Sequence, residues 1–241
     1  MHAGKGVKRR AMPAWKWAIA LAALAAGSAP LFAQDQAKIA AAIAAPMAAL
    51  DRALAEEAQR PAAASDAERL ERMGAIDQSW RPHMGRLRLE GLSAEEVREA
   101  FATIVARTEP IDLRHRDEVM AMLPAEGWFS FSAYGRNAAE AAFHIIQHSD
   151  LETQLEVLPA LERMALAGEA DTTAFAAMYD RVQKSQGEPQ RYGTQFDCVE
   201  HRPVLYRLED PARVEEFRRQ MKFELTLAEH VRGLEQRQAG C

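Results

Sequence analysis

Apolar residues recur at helical spacing through most of the chain. Between residues 36 and 59 they follow one another at intervals of three or four, which places them on one face of a helix: Ile39, Ile43, Met47, Leu50 and Leu54. Pro46 predicts a kink in this helix, because proline has no N–H and its ring collides with the preceding turn. The RPAAA stretch at 60–64 that follows is typical of a linker.

Polar residues that can cap helices divide the rest of the chain. Such side chains accept hydrogen bonds from the free N–H groups of a first helical turn, and six starts are predicted in this way: Ser65 with Glu68, Ser93 with Glu96, Asp112, Asn137 with Glu140, Asp150, and Asp171. The helix beginning at Asp112 would end before Gly127. The helix beginning at Asn137 would run to about Ser149.

The periodicity changes after Gly187 and Pro189. Segments 190–196 and 203–209 are short and rich in aromatic and β-branched residues, which predicts a small hairpin. Asp210 and Pro211 then start a last helix with a break near Lys222. The fold class expected from these patterns is mainly α, a helical bundle with one short β-hairpin near the C-terminal third.

The first 33 residues have the order of parts found in a secretory signal peptide. A basic stretch without acids precedes a short apolar run at 18–26, and small residues lead to Ala33. This run is shorter than the roughly 20 apolar residues that a membrane span needs. We expect cleavage after Ala33 and a mature protein in the periplasm or the medium. The expected divisions are a signal peptide at 1–33, an N-terminal helix and linker at 34–64, and a helical domain at 65–241.

Cleavage would make the chain more acidic. The whole chain has 30 basic and 35 acidic residues and a net charge of −5. Residues 1–33 contain five lysines and arginines and no acid, so 25 basic residues and a net charge of −10 would remain. This charge repels phosphate backbones and anionic lipid heads. Nucleic acid is therefore not expected as a partner, nor is a membrane after cleavage of the signal peptide.

The chain has two cysteines, Cys198 and Cys241. An oxidising compartment would allow them to form a disulfide, but two cysteines do not define a disulfide framework. The sequence leaves this pairing open.

His144 and His148 lie four residues apart on a predicted helix, so both side chains are on one face. The run from His144 to His148 has the outline of an inverted zinc-protease motif, but Gln147 stands where the catalytic base is needed, and an amide cannot take a proton from water. Glu140, one turn earlier, does not make an evident third ligand. A pair of hydrogen-bonded histidines at the edge of the core is the favoured interpretation, and we expect no metal and no cofactor.

The segment from Asp180 to Gln195 is dense in polar residues with defined hydrogen-bonding geometry. Its amides, phenol and guanidinium can recognise carboxylate, sugar or peptide groups, which makes these residues ligand-binding candidates: Arg181, Gln190, Tyr192, Thr194 and Gln195. Alternatively, they satisfy buried backbone groups of the hairpin. Trp128 is a further candidate, either as a stacking surface for a ligand ring or as a plug that closes the bundle.

These residues together resemble a bacterial family of uncharacterised domains. Its pattern of D-Q-x-x-R, G-W-P, Q-H-A-D, D-R and Q-x-Y-G-T-Q is similar to segments of this chain that begin at Asp77, Gly127, Gln147, Asp180 and Gln190. The similarity extends over about residues 66–235. Phe129 and Ser149 depart from it, and His144 falls where that family has an apolar or aromatic residue. The resemblance implies that Asp77, Gln78, His148 and Arg181 meet Tyr192 and Gln195 in one cleft.

Two functions follow as hypotheses. The first is a ligand-binding or hydrolytic domain in which His148, with a pKa near neutrality, carries the proton and Asp77 or Asp180 orients it. The second is a structural or protein-interaction module in which the same residues form a buried hydrogen-bond network. The partner would be a small molecule or a protein whose identity the sequence does not give. Gly193 is expected to be a turn or bulge position that lets Tyr192 and Gln195 face the same side.

Overall fold

The computed structural model describes residues 34–200 and 202–236. The predicted signal peptide and Cys241 lie outside this range, so cleavage after Ala33 stays a prediction, and the pairing of Cys198 with Cys241, which the sequence leaves open, falls outside the described residues. The helices and strands follow in chain order: α1 (34–42), α2 (Ala44–Ala58), α3 (Asp66–Trp80), a 3-10 helix (Arg81–Arg86), α4 (Ala94–Ala121), α5 (Phe131–Tyr134), α6 (Arg136–Ile146), α7 (Leu151–Leu166), α8 (Thr172–Ser185), β1 (Phe196–Val199), β2 (Arg202–Leu205), α9 (Val214–Gln220) and α10 (Leu227–Gln236). The expected mainly α fold with one short hairpin is confirmed.

Pro46 breaks the first predicted helix as expected, but the break lies at Ile43, one turn earlier. Because Pro46 has no N–H, the carbonyl of Ala42 has no partner in the helix. That carbonyl instead accepts a hydrogen bond from the backbone N–H of Arg88 (3.2 Å). The carbonyl that Pro46 leaves free thus links the N-terminal helices, through a hydrogen bond, to the loop between the 3-10 helix and α4.

The buried apolar residues form two clusters. One joins α1 and α2 to α3 and α4, with Ile39 and Leu50 packed together with Ile76 and Ile104. The larger one lies among the later helices and includes Trp128, Phe129 and Phe175. Helix α3 contributes residues to both clusters, so it connects the N-terminal helices to the rest of the bundle.

Helices α3 and α6 approach each other closely at Gly74. A Cβ atom at this position would lie 2.5 Å from the Cβ atom of Ala141, so only glycine fits there without movement. This contact brings the C-terminal end of α3 toward the end of α6. Asp77 and His148 occupy these two ends.

Two predicted helix starts are wrong. Asp112 does not cap a helix, because α4 continues for 28 residues from Ala94 to Ala121 and contains both Pro110 and Asp112. The side chain of Asp112 instead pairs with Arg81 (3.1 Å). Asn137 is not a cap either, since α6 begins at Arg136 after Gly135. The other four predicted caps accept backbone N–H groups, as expected: Ser65, Ser93, Asp150 and Asp171.

The hairpin is present but begins later than predicted. Its antiparallel register pairs Phe196 with Leu205 and Val199 with Arg202. Residues 190–195 form a loop, in which Gln190 makes a single bridge with Leu208. The last helical region is interrupted near Lys222, as expected, and this residue has a φ of 57°. Within residues 34–200 and 202–236, no helix has both the length and the hydropathy to cross a membrane.

Candidate functional site

Five charged or titratable residues gather where the ends of α3 and α6 meet α4 and α8. We call them the arginine cluster: Asp77, Arg81, Asp112, His148 and Arg181. Asp77 comes from α3, Arg81 from the 3-10 helix, Asp112 from α4 and Arg181 from α8, while His148 follows α6. Charges on Arg81, Asp77 and Arg181 are all close enough to His148 to affect its pKa.

Arg81 is held in place by two carboxylates. Its Nε and Nη2 atoms donate to Oδ1 of Asp77 at 3.1 and 2.6 Å, and Nη2 also donates to Oδ1 of Asp112 at 3.1 Å. The guanidinium stacks over the ring of Trp80, 4.4 Å from its centroid. Burial and the charge of Asp77 raise the pKa of Asp112. Arg81 therefore has a fixed position and a satisfied charge.

Arg181 has a different environment. Among the residues that the structure describes, none accepts a hydrogen bond from its guanidinium or pairs with its charge. The residue is half-buried, and both this burial and the nearby charge of Arg81 lower its pKa. A desolvated cation beside another cation is unfavourable unless an anion compensates it. Arg181 thus provides donors that the protein itself does not use.

His148 is not a proton carrier near neutrality, contrary to expectation. The protein atoms around the imidazole desolvate it, and this burial, with the charge of Arg81, lowers its pKa to about 4. The residue nevertheless keeps contact with solvent, which limits the desolvation. No described residue forms a hydrogen bond with its ring. At pH 7 His148 is therefore a neutral ring with a nitrogen free to donate a hydrogen bond.

A shallow groove of about 310 Å³ lies between α3 and α6, and its lining residue Gln78 contacts Asp77 of the cluster. Gln78 and His144 both line it. Gln78 donates to Oδ2 of Asp77 (2.6 Å), and Nδ1 of His144 lies 2.9 Å from Nε2 of Gln147. His144 is thus paired with an amide, while the charges of Arg81, Asp77 and Arg181 act on His148.

Asp180 serves another group of residues, the loop at 190–195. Its carboxylate is fully buried and accepts the backbone N–H groups of Arg191 (2.8 Å), Tyr192 (3.0 Å) and Thr194 (3.0 Å). It also accepts the hydroxyl of Thr194 (3.0 Å). Burial raises the pKa of Asp180, while these donors act in the opposite direction. The carboxylate thus provides the hydrogen-bond acceptors that these backbone N–H groups would otherwise find in a helix or strand.

Gln190 connects this loop to the chain after β2. Its amide nitrogen donates to the carbonyls of Gln195 (2.9 Å) and Tyr206 (2.8 Å), and its amide oxygen accepts from the N–H of Gln195 (2.8 Å). The side chain is fully buried, so these contacts are protected from water. Gly193 has a φ of 72°, which confirms the predicted turn.

Tyr192 is a core residue. It is 4% exposed, and its ring makes edge contacts with Phe175, Tyr179 and Phe217. The buried guanidinium of Arg218 donates to the carbonyl of Tyr192 (2.8 Å). Gln195 donates to the carbonyl of Ala177 (3.4 Å) and to the hydroxyl of Thr194 (3.2 Å). Sequence reasoning missed Arg218, because nothing distinguishes it from the neighbouring basic residues of α9.

Trp128 is 1% exposed and packs edge-on against Phe129, with ring centroids 6.0 Å apart. Its ring has no face open to a ligand. The contacts favour the plug over the stacking surface.

The expected single cleft is therefore divided into two groups. Asp180 and Arg181 are neighbours in α8, and consecutive residues of a helix point about 100° apart. The carboxylate faces the loop with Gln190, Tyr192, Thr194 and Gln195, whereas the guanidinium faces the arginine cluster. The kink at Gly193 does not bring Tyr192 toward His148, because the ring turns into the core.

Within the described parts of the chain, no group of three or more His, Cys, Asp or Glu residues is arranged to hold a metal ion.

Comparison with known proteins gives a family but no activity. Residues 90–239 match the model described as a family of unknown function (DUF6624). No curated protein and no solved structure matches the chain. Because this match covers more than half of its length, the chain belongs to this uncharacterised family.

Proposed function

We propose that the protein binds a small anion, presented as a phosphate or carboxylate group, at the arginine cluster. The observation that carries this proposal is the unpaired guanidinium of Arg181. Guanidinium groups bind such anions through paired, charge-assisted hydrogen bonds. An anion would also relieve the repulsion between Arg181 and Arg81.

Each residue of the cluster has a role in this proposal. Arg181 supplies the main donors, and the ring of His148, which has no hydrogen-bond partner among the described residues, supplies one more. Asp77 and Asp112 hold Arg81 beside the site, so that its positive charge contributes without a flexible side chain having to be ordered on binding. The groove lined by Gln78 and His144 would receive the remainder of the ligand.

Binding is better supported than hydrolysis. A general base works best with a pKa near the working pH, and the pKa of His148 lies well below it. The hydroxyl that follows it in the chain, on Ser149, donates to the carbonyl of Ile146 (2.6 Å) and is thus occupied. The cluster therefore resembles a recognition site more than a nucleophile with its base.

The alternative of a buried structural network is favoured for the loop at 190–195. Asp180 and Gln190 direct their polar atoms at main-chain groups of the loop and hairpin, which leaves few of these atoms for a ligand. We propose that this group stabilises the hairpin and that ligand binding is confined to the arginine cluster.

The test is a calorimetric titration of the purified protein with inorganic phosphate and with acetate. We expect one site, with the affinity reduced at least about tenfold in Arg181→Gln, since a charge-assisted contact is lost. Arg202→Gln removes the same charge from an exposed position of β2 and is the matched control. Absence of binding, or equal affinities in both variants, would overturn the proposal.

We also propose that the protein is bacterial and is exported, and that it acts in the periplasm or the medium. The support is the basic start, the apolar run and the small residues before Ala33. Amino-terminal sequencing of the protein recovered outside the cytoplasm tests this. A chain that keeps Met1 and stays in the cytoplasm would contradict it.

A further inference from the structure

Helices α3 and α6 run side by side in the same direction, toward the arginine cluster. A Cβ atom at Gly74 of α3 would lie 2.5 Å from the Cβ atom of Ala141 in α6. Further along both chains, Asp77 is close enough to His148 for its charge to affect the pKa of that ring. The groove between these helices therefore has one end at the cluster and one end away from it.

The lining of the groove can be ordered along the two helices. On α3 it extends from Gln78, beside the cluster, back to Glu71, and on α6 it extends back from His144. His144 is in turn close enough to His148 to affect its pKa. Because a helix advances about 1.5 Å per residue, Glu71 lies about 15 Å from Arg81 along α3.

Two carboxylates without partners line the part of the groove that is distant from the cluster. Glu71 is exposed on α3 and Glu140 is half-buried on α6. Neither forms a hydrogen bond or an ion pair with a described residue. His144 is the other titratable residue among the described lining residues, which include no lysine or arginine. A cation would therefore be favourable between the two glutamates.

At the cluster, the charge without a partner is positive. The carboxylates of Asp77 and Asp112 both accept from Arg81, whereas Arg181 is unpaired among the described residues. The unpaired charges thus have opposite signs at the two ends. A ligand with an anionic and a cationic group roughly 10–15 Å apart would compensate both ends, while a ligand with one charge would compensate one.

The groove also offers hydrogen-bonding groups of both kinds between its ends. Oε1 of Gln78 accepts no hydrogen bond from a described residue. Nδ1 of His144 lies 2.9 Å from the amide nitrogen of Gln147, so the neutral ring carries its hydrogen on Nε2 and can donate it. The small residues Gly74 and Ala75 allow a main chain to approach closely. Peptide N–H and C=O groups match this lining.

We propose that the ligand of the arginine cluster is a short peptide with both termini free. Its terminal carboxylate would bind Arg181, its main chain would lie along the groove, and its amino group would pair with Glu71 and Glu140. An extended chain spans at most about 3.3–3.6 Å per residue, so three or four residues cover the distance. This inference rests on the proposed anion binding at Arg181 and adds the identity of the rest of the ligand.

Tetraalanine is a suitable probe, with its N-acetylated form as the counterpart that lacks the cation. We expect calorimetry to show one tetraalanine bound to the wild-type protein and the N-acetylated peptide to bind at least about tenfold more weakly, because one charge-assisted contact is lost. Dialanine is too short to reach both ends and should bind no more tightly than acetate. Equal affinities of tetraalanine and its N-acetylated form would overturn the proposal.

Variants assign the amino group to the two glutamates. Combined Glu71→Gln and Glu140→Gln should weaken tetraalanine at least about tenfold and leave the N-acetylated peptide unchanged. Glu156→Gln removes the same charge from an exposed position of α7 outside the groove and should have no effect. All three side chains have access to solvent, so these changes should not prevent folding. Tetraalanine affinity equal to that of the wild type in the double variant would contradict the assignment.

Inorganic phosphate separates this inference from the proposed function. The double variant should bind phosphate as the wild type does, because Arg181 is unchanged. If phosphate binds and depends on Arg181 while the amino group of the peptide has no effect, the anion site is retained and the peptide assignment is wrong. If neither phosphate nor tetraalanine binds, both proposals are wrong.

Discussion

A Cβ atom at Gly193 would lie 2.6 Å from Cδ1 of Leu227, the first residue of α10. Gly193 also has a φ of 72°, in the region that favours glycine. The positive φ favours glycine, and a Cβ would in addition require the flexible end of the Leu227 side chain to shift. The contact with Leu227 also connects the 190–195 loop to the C-terminal helix.

Gly193→Ala should therefore lower the free energy of unfolding by about 1–3 kcal/mol, from backbone strain together with the smaller cost of moving the Leu227 side chain. Gly187→Ala is the matched control, because Gly187 has a φ of 76° but no atom within 4 Å of the point where a Cβ would lie. Gly187→Ala should lower the free energy of unfolding by only about 1 kcal/mol. Urea denaturation measures both, and equal losses would show that Leu227 does not restrict position 193.

Much of the fold could be predicted because capping is a local property. Ser65, Ser93, Asp150 and Asp171 begin helices where the pattern places them. The prediction at Asp112 was wrong because an aspartate that caps a helix and one that pairs with a distant arginine look alike in sequence, and Arg81 is 31 positions away. The hairpin began late because Gln190 and Asp180 replace strand pairing in the preceding loop.

The candidate site could be predicted only in part, since sequence does not give the direction of a side chain across a tertiary contact. His148, Arg181 and Asp77 do lie together, as the resemblance implied. Tyr192 and Gln195 do not join them. Helix geometry predicts that the side chains of Asp180 and Arg181 point in different directions on α8. It does not predict which parts of the protein each side chain contacts.

Asp180→Asn should destabilise the protein by about 2–4 kcal/mol. The new amide would place N–H donors against the backbone N–H groups of the loop, and hydrogen bonds to a charged acceptor are among the stronger ones. Asp197→Asn changes a half-exposed carboxylate on β1 that pairs with Lys184, and should cost less than about 1 kcal/mol. Chemical denaturation distinguishes the two, and similar effects would argue against a structural role for Asp180.

Gln190→Met should remove about 2–4 kcal/mol of stability. The apolar side chain leaves the N–H of Gln195 and the carbonyl of Tyr206 without partners, and the carbonyl of Gln195 keeps only the bond from the N–H of Tyr206. The variant should still bind phosphate as the wild type does while it is folded. Gln186→Met, at an exposed position after α8, is the control for thermal melts. Loss of phosphate binding with unchanged stability would instead place Gln190 in the ligand site.

His148 should make stability fall in mildly acid solution. Its pKa is about 4 in the folded chain and near the ordinary value of 6.5 when unfolded, so the unfolded state binds more protons between these values. This contribution is fully present above pH 6.5 and is lost as the pH falls toward 4. His148→Gln should reduce the difference between urea midpoints at pH 7 and pH 4.5, and His83→Gln should not. An identical pH dependence in wild type and His148→Gln would contradict the lowered pKa.

Asp180 binds mainly main-chain N–H groups of the 190–195 loop. The backbone path of the loop therefore depends little on which side chains the loop carries. Three of its four donors are backbone N–H groups, which any residue but proline supplies. Arg191, whose side chain reaches outward to Glu209, could therefore be replaced without altering the path of the backbone. Other side chains could therefore be introduced into this loop by substitution, provided that Asp180 and Gly193 are kept.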